Sequence, residues 1–274
     1  MTPAALLPEN YGFLRDYVYR ESGIVLDGDK HYLLEARLMP IVAQMRLGTL
    51  DALCDVLRTN ANGPALKRQV VEAMTTNETF FFRDPAQYEA LRLHVLPALI
   101  EQRRDTRKMS FWSAASSSGQ EAYSLAMMLR EMGLGDWRIS ILGTDLNHRM
   151  LERSRAGKYL QIEVNRGLPV SCLLKYFTKA GLEWQLKDEV RRMVEFTAFD
   201  LRQSMLALGP FDVVFCRNVL IYFDIEAKKK ILEQLHGTLF RGGYLLLGGS
   251  ETTLNLTTRF ERKILGQSVF YQAP

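Results

Sequence analysis

From Lys108 onward, short apolar runs alternate with helical stretches, and this alternation limits the possible folds more than any other feature of the chain. MSFWSAA is followed by EAYSLAMMLREM, and RISILGTD by a helix from Asn147. A parallel sheet with crossover helices requires this βαβ texture. The pattern resumes with VEFTAF, FDVVFC, a helix from Asp224 to about Phe240 closed by Gly242-Gly243, then YLLLGG and SVFYQ. Residues 156–193 interrupt it. GKYLQIEV, KYFTKA and LEWQLKDEV are short, mixed and turn-punctuated, which predicts an inserted subdomain of small strands and a helix.

Upstream, the apolar residues recur at helical spacing: Phe13, Leu14, Tyr17 and Val18, then Leu33, Leu34, Leu38, Ile41 and Val42, then Leu50, Leu53, Val56 and Leu57. Turn residues separate these groups at Gly23, Asp27-Gly28-Asp29, Gly48-Thr49 and Asn62-Gly63-Pro64. Residues 1–73 are therefore predicted to form an all-helical N-terminal domain, with Pro40 kinking or ending its second helix. Residues 74–107 read as a junction and linker helix. The helical part, 84–103, opens with Asp84-Pro85 in cap and first-turn positions, and Pro97 blurs its end. Residues 108–274 are the α/β domain, with the insert at about 156–193.

Composition removes whole classes. With 47% hydrophobic and 24% charged residues in 274, disorder and fibrous repeats are excluded. Cys54, Cys172 and Cys216 are far apart and His31, His94, His148 and His236 are scattered, so no disulfide framework or metal site is expected. The start, MTPAALLPENYGF, lacks a signal-peptide pattern, and no apolar run nears the roughly 18 residues of a membrane span. A cytoplasmic protein in a reducing compartment, without membrane insertion, is the expectation. A net charge of +4 is too small to indicate a nucleic-acid coat. The Lys228-Lys229-Lys230 run reads as a solvated helix face, and Gly248-Gly249-Ser250-Glu251 as a strand-end turn.

Open α/β sheets bind ligands at the carboxyl ends of their strands. The first strand-to-helix turn carries seven small residues, Ser113 to Gly119, and then Gln120 and Glu121 at the helix start. Neither G-x-G-x-x-G nor a P-loop is present, and Glu121 would repel a phosphate, so a cationic ligand fits better. The second strand ends in Gly143-Thr144-Asp145, where an acid takes ribose hydroxyls in nucleotide-type folds. An adenosyl ligand with a cationic tail and no phosphate is S-adenosylmethionine. The plainer alternative is that Glu121 and Asp145 cap helices.

Two further segments stand out. In Thr75-Thr76-Asn77-Glu78-Thr79-Phe80-Phe81-Phe82-Arg83-Asp84, the three Phe are expected to pack a domain interface, while Asn77, Thr79 and Arg83 alternate and could share one side of an extended segment. In FDVVFCRNVLIYFD a buried strand runs straight into Arg217-Asn218, polar groups that are costly there unless satisfied. Tyr222 follows one helical turn later.

Together these segments closely resemble the chemotaxis methyltransferase (CheR-like) family, over essentially the whole chain: the helical N-terminal domain, TTNETFFFRD, WSAASSSGQEAYS, GTDLN and FDVVFCRNVLIYF. The resemblance implies a Rossmann-like S-adenosylmethionine-dependent methyltransferase domain with an inserted small β-subdomain, preceded by an all-helical domain. It implies protein-glutamate O-methyltransferase activity on chemoreceptor cytoplasmic helical bundles, with S-adenosylhomocysteine as product. It further implies cofactor contacts from Asn77, Thr79, Arg83, Glu121, Asp145, Asp200, Leu201, Arg217 and Asn218, with Arg83 and Tyr222 near the transferred methyl. The chain departs from the family in three places. Asp200 stands where Asn is common, which leaves a backbone contact. The second N-terminal helix keeps Lys30, Arg37 and Arg46 but has Met39, Pro40 and Gln44 between them. KYFTKAGLEWQLKDEV has only Gly181 where some members carry a glycine-rich turn that docks a receptor tail peptide, which argues against tail docking.

Two rival readings are a noncatalytic signalling module and a nucleic-acid methyltransferase. Against the first stand the intact site positions; against the second, the absence of a D/N-P-P-Y/F segment. Charge adds one expectation about the partner. Residues 1–70 hold 8 basic and 8 acidic side chains, whereas 153–193 hold 9 basic against 4 acidic. The insert is thus a candidate contact surface for an acidic receptor bundle, with a solvated surface as the plainer reading.

Overall fold

The computed structural model describes residues 6–26, 28, 30–59 and 63–274, so the predicted turn residues Asp27, Asp29 and Asn62 lie outside the described residues. The chain divides into two compact units, Met1–Thr76 with Tyr222–Asp224, and Asn77–Ile221 with Ile225–Pro274.

The first unit packs α1 (Pro8–Ser22), α2 (His31–Met45), α3 (Leu50–Thr59) and α4 (Gly63–Met74) around Leu14, Val18, Leu34, Leu38, Leu53, Cys54 and Val70. Each fully buried leucine contributes about 2 kcal/mol to that core. Helix α1 ends where Gly23 turns left-handed (φ 75°) and its N–H bonds back to Tyr19 O. Pro40 does not end α2, which continues to Met45 and closes on Arg46 (φ 59°). Pro40 lies on the exposed face, where the carbonyl its ring displaces can turn to water, while Leu34, Leu38, Ile41 and Val42 hold the opposite face. Arg37 of α2 donates to Met74 O (2.5 Å), Thr75 O (3.1 Å) and Thr76 Oγ1 (2.9 Å), closing the end of α4. Tyr222 and Asp224 join this unit through Val25 N–H to Tyr222 O (2.9 Å) and Tyr19 OH to Asp224 Oδ2 (2.6 Å).

The second unit opens with α5 (Pro85–Ala90) and α6 (Leu96–Gln102), joined by a π-helical turn over Leu91–Val95. The helix therefore passes through Pro97. Leu96 N–H bonds to Leu91 O five residues back, a widened turn that makes room beside the Pro97 ring. There follow β1 (Lys108–Ala114), α7 (Gln120–Glu131), β2 (Arg138–Asp145) and α8 (His148–Ala156). The insert contributes β3 (Lys158–Leu160), α9 (Gln161–Val164), α10 (Val170–Tyr176), β4 (Phe177–Ala180), β5 (Glu183–Leu186) and α11 (Asp188–Arg191). Then come β6 (Val194–Ala198), β7 (Phe211–Cys216), α12 (Ile225–Gly237), β8 (Leu239–Leu247), β9 (Glu261–Leu265) and β10 (Ser268–Gln272).

The main sheet has the order β6-β2-β1-β7-β8-β10-β9, parallel except for β10, and the insert forms a separate antiparallel sheet β3-β5-β4. The structure departs from the sequence reading at three points. Gly242-Gly243 do not close α12, which ends at Gly237; they sit inside β8, where Gly242 (φ 82°) accompanies a register shift against β7. Strand β9, whose run ERKIL is largely charged, was not predicted at all. Phe81, expected at a domain interface, is fully buried in the second unit's own core, edge-on to Tyr159 (5.0 Å) and Phe177 (5.7 Å) of the insert, and Phe82 packs on Tyr88 (5.2 Å).

Candidate active site

Register decides which side chains meet. Ala114 of β1 pairs with Thr144 of β2 and Cys216 of β7, and Cys216 pairs with Leu247 of β8. One residue further on, Ala115, Asp145, Arg217 and Gly248 form one row at the sheet's carboxyl edge, with Asp145 the last residue of β2. This row straddles β1 and β7, whose chains continue to opposite flanks of the sheet, the switch point where open α/β sheets bind ligands.

The small-residue loop after β1 is held in an uncommon shape. Ala115, Ser117 and Gly119 have φ of 59°, 50° and 91°. Left-handed non-glycine residues cost on the order of 1 kcal/mol each and persist where surrounding contacts over-determine them. Here Ser116 N–H donates to Thr144 O (2.8 Å), Ser117 N–H to Asp145 Oδ2 (2.8 Å) and Ser117 Oγ–H to Asn77 O (2.9 Å). A Cβ at Gly119 would meet Ser154 Cβ at 2.8 Å, so only glycine lets the loop lie this close to α8.

Neither Glu121 nor Asp145 is a helix cap. Gly119 stands at the N-cap of α7, and Asn147 caps α8 by accepting from Met150 N–H (3.2 Å). Buried Asp145 instead accepts Ser117 N–H on one oxygen and Asn147 N–H (2.8 Å) on the other, fastening the loop to β2. Glu121 accepts from Ser113 Oγ–H (2.7 Å) and from Arg217 Nη1 (2.8 Å).

Arg217, with 1% of its side chain exposed, is the hub. Its Nη2 donates to Asp84 Oδ2 (2.6 Å) and to Arg83 O (2.7 Å), so one buried cation is shared by two carboxylates. Burial disfavours its charge, but Glu121, Tyr88 and Asp84 outweigh that and hold the guanidinium protonated above its ordinary range. The three charges sum to one negative, which suits a cationic ligand. Asp84 stands at the N-cap of α5 with Pro85 after it, as expected, but its side chain makes no cap bond; Arg217 takes the carboxylate. Phe82 and Asp84 are left-handed (φ 48° and 61°), and Phe82 N–H donates to Ser124 Oγ on α7 (2.9 Å), which ties the junction to the loop's helix.

The other expected residues are distributed as follows. Arg83 is fixed through its backbone, while its partly exposed side chain donates to Glu78 O (3.1 Å) and lies 5.5 Å from the Phe80 ring centre. Asn77 meets the loop through its carbonyl, and Thr79 is partly buried in the same junction. Asn218 follows Arg217 in a left-handed conformation (φ 57°). Asp200, just past β6, turns its carboxylate onto Arg202 (2.6 Å), beside buried Leu201. Tyr222 clusters with the helical unit. Sequence reasoning missed Glu251, which accepts four backbone N–H groups of the β7 and β8 turns; its signal was an acid closing a Gly-Gly-Ser turn right after a strand.

S-adenosylmethionine fits this set of residues on three counts. The cluster carries a net negative charge, the loop is made of small residues, and Ser116 Oγ, Asn218 Oδ1 and Arg217 Nε are buried without a protein partner. Buried polar atoms are rarely left unpaired, and these three belong to the loop and to the end of β7.

Comparison with known proteins places the whole chain. Residues 9–75 match the family "CheR methyltransferase, all-alpha domain" and residues 77–268 match "CheR methyltransferase, SAM binding domain". Chemotaxis protein methyltransferase 1 of Pseudomonas aeruginosa is 41% identical over 270 residues, covering 96% of this chain and 97% of its own. The chemotaxis protein methyltransferase of Vibrio parahaemolyticus is 40% identical over 279 residues, covering 99% of each. The helical unit, the α/β sheet with its small antiparallel insert and the cation-suited edge of β1 and β7 thus belong to a member of the CheR chemotaxis methyltransferase family, which uses S-adenosylmethionine.

Proposed function

We propose that the chain is a cytoplasmic protein-glutamate O-methyltransferase, acting on glutamate side chains in the cytoplasmic helical bundles of chemoreceptors. The names of the relatives support the substrate class. The observation that carries the chemistry is Arg83. Its backbone is locked by Arg217 beside the net-negative cluster, while its guanidinium is partly exposed and lightly tethered to Glu78 O and Phe80. A cation so placed can receive an anionic acceptor next to a site for a cationic donor.

In this reading Glu121 faces the ammonium group of the cofactor, Asp145 the ribose, and Asn77, Thr79, Asp200-Leu201, Arg217 and Asn218 complete the contacts. When bound, S-adenosylmethionine supplies a methyl group on a positively charged sulfur. A glutamate has an ordinary pKa of about 4.3, so the acceptor is already a carboxylate at neutral pH and the chain needs no general base. Arg83 holds one carboxylate oxygen and leaves the other for in-line attack, and Tyr222 supplies a second hydrogen bond. A bidentate grip would lower the nucleophilicity of both oxygens, so a single oriented contact serves better. Alignment is the main task, and exclusion of water favours a transition state in which opposite charges cancel.

The test is incubation with methyl-labelled cofactor and receptor cytoplasmic fragments. Label released by mild base, as expected of a carboxyl methyl ester, supports the reading, and base-stable label would overturn it. Arg83→Ala should abolish most turnover; wild-type turnover with unchanged cofactor affinity would remove Arg83 from the mechanism.

A further inference from the structure

We propose that Glu251 is a positioning residue for the cofactor, holding the Arg217–Ile221 segment in the shape that the site requires. This rests on the reading that Arg217 and Asn218 touch the cofactor. The segment leaves β7 and at once adopts a strained shape, with Asn218 at φ 57°. Left-handed asparagine is tolerated better than most residues but still needs support from its surroundings. That support comes from one carboxylate. Glu251 Oε2 accepts Asn218 N–H (2.7 Å) and Gly248 N–H (2.7 Å), and Oε1 accepts Val219 N–H (3.0 Å) and Ile221 N–H (3.3 Å).

Hydrogen bonds from backbone N–H groups to an ionised carboxylate are about twice as strong as neutral ones, so four on one group make a stiff clamp. Gly248 is the second half of the device. A Cβ there would lie 2.7 Å from Asn218 Nδ2, 2.9 Å from Asn218 N and 2.7 Å from Glu251 Oε2, so the β8 turn can press onto Asn218 only as glycine. The result leaves Asn218 Oδ1 buried with no protein partner, next to the charge cluster of Arg217. A polar atom held unsatisfied by a dedicated clamp is poised for a ligand. The hydrogen bonds of Glu251 go to Asn218, Val219, Ile221 and Gly248 rather than to the charged groups of the cluster, so it acts through Asn218 and its neighbours.

The surroundings of Glu251 offer a specific test. On its other side it lines a cavity of about 430 Å³, together with Asp84, Gln87, Thr252, Arg262 and Tyr271. Truncating the side chain therefore leaves a carboxylate-sized space that joins an existing cavity, through which formate can enter.

The experiment compares wild type, Glu251→Ala, Glu251→Gln and Asn218→Ala in the full chain, by S-adenosylhomocysteine calorimetry and by the KM for cofactor in receptor methylation. The clamp predicts that Glu251→Ala raises the cofactor KM and weakens S-adenosylhomocysteine by at least about tenfold, that added formate recovers much of the loss, and that Glu251→Gln falls between. A residue that merely stabilised the fold would lower the amount of active enzyme at unchanged KM, with no response to formate. If Glu251→Ala does not fold, Glu251→Gln carries the test, because it keeps the volume and removes the charge and half of the acceptors. Wild-type affinity and KM in Glu251→Gln would overturn the clamp while leaving the cofactor reading intact. Unchanged affinity in Asn218→Ala would overturn the assignment of Asn218 to the cofactor, and the clamp's purpose with it.

Discussion

Arg217 joins the end of β7 to the start of α7 through Glu121 and to the junction through Asp84 and the Arg83 carbonyl. A buried ion pair of this kind is weak evidence of net stability, but removing one partner is costly because the other charges stay behind. Here the arrangement also sets the sign of the site. Glu121→Gln retains an acceptor for Ser113 while removing the excess negative charge. We expect it to weaken S-adenosylmethionine by about tenfold, or 1.4 kcal/mol, in calorimetry, with little change in fold. Asp145→Ala removes the acceptor for both Ser117 N–H and Asn147 N–H, so it should weaken the cofactor at least as much by loosening the loop. Wild-type affinity in Glu121→Gln would show that the charge cluster has no part in binding, and wild-type affinity in Asp145→Ala would show the same of the loop's fastening to β2.

At the scale of elements, the loop between β1 and α7 depends on close approach. Gly119 combines φ 91° with only 2.8 Å to Ser154 Cβ, so Gly119→Ala should destabilise the second unit by about 2 kcal/mol or more, read from the denaturation midpoint. The insert is tied to α7 by a different chemistry. Tyr176 OH and Lys175 Nζ both donate to Glu131, and the hydrogen bonds from Lys175 and Tyr176 hold its pKa below the ordinary 4.5. A carboxylate whose folded pKa is depressed contributes stability that is present above its unfolded value and lost as pH falls through the folded one. Stability of the second unit should therefore decline below about pH 4.5, and Glu131→Gln should flatten that acid limb. Most sheet strands and their helices were legible because apolar periodicity is local, and the position of Glu121 and Asp145 at the sheet's carboxyl edge was legible because it follows from where the strands end. Three features were not legible. Pro97 was absorbed by a π turn, Gly242-Gly243 became a bulge inside β8, and the charged strand β9 is held by pairing with β10 rather than by any apolar pattern of its own. Asp84 stands at the N-cap position that the sequence indicates, but its carboxylate serves a partner 133 positions away, which no local pattern shows.

For the whole molecule, the excess positive charge of the insert looks different once its pairs are known. Arg153 pairs with Glu163 (2.8 Å), Arg166 with Glu78 (2.6 Å), Lys175 with Glu131 (2.7 Å), and both Arg191 (2.9 Å) and Arg192 (3.2 Å) with Asp188. More than half of its nine basic side chains therefore meet a carboxylate of the same chain, which favours a solvated, internally matched surface over a bare basic patch. Under the proposed function, an acidic acceptor would then be recognised chiefly at Arg83, beside the net-negative cluster. Among the described residues no helix is long and apolar enough to cross a membrane. The most direct test of the central claim is peptide mapping by mass spectrometry of receptor cytoplasmic fragments after reaction with S-adenosylmethionine. Methyl groups are expected on glutamate side chains at discrete helical positions, removed by mild base and absent when Arg83→Ala replaces the wild type. Methyl groups on nitrogen, or none on any glutamate with the wild-type chain fully active on another acceptor, would contradict it.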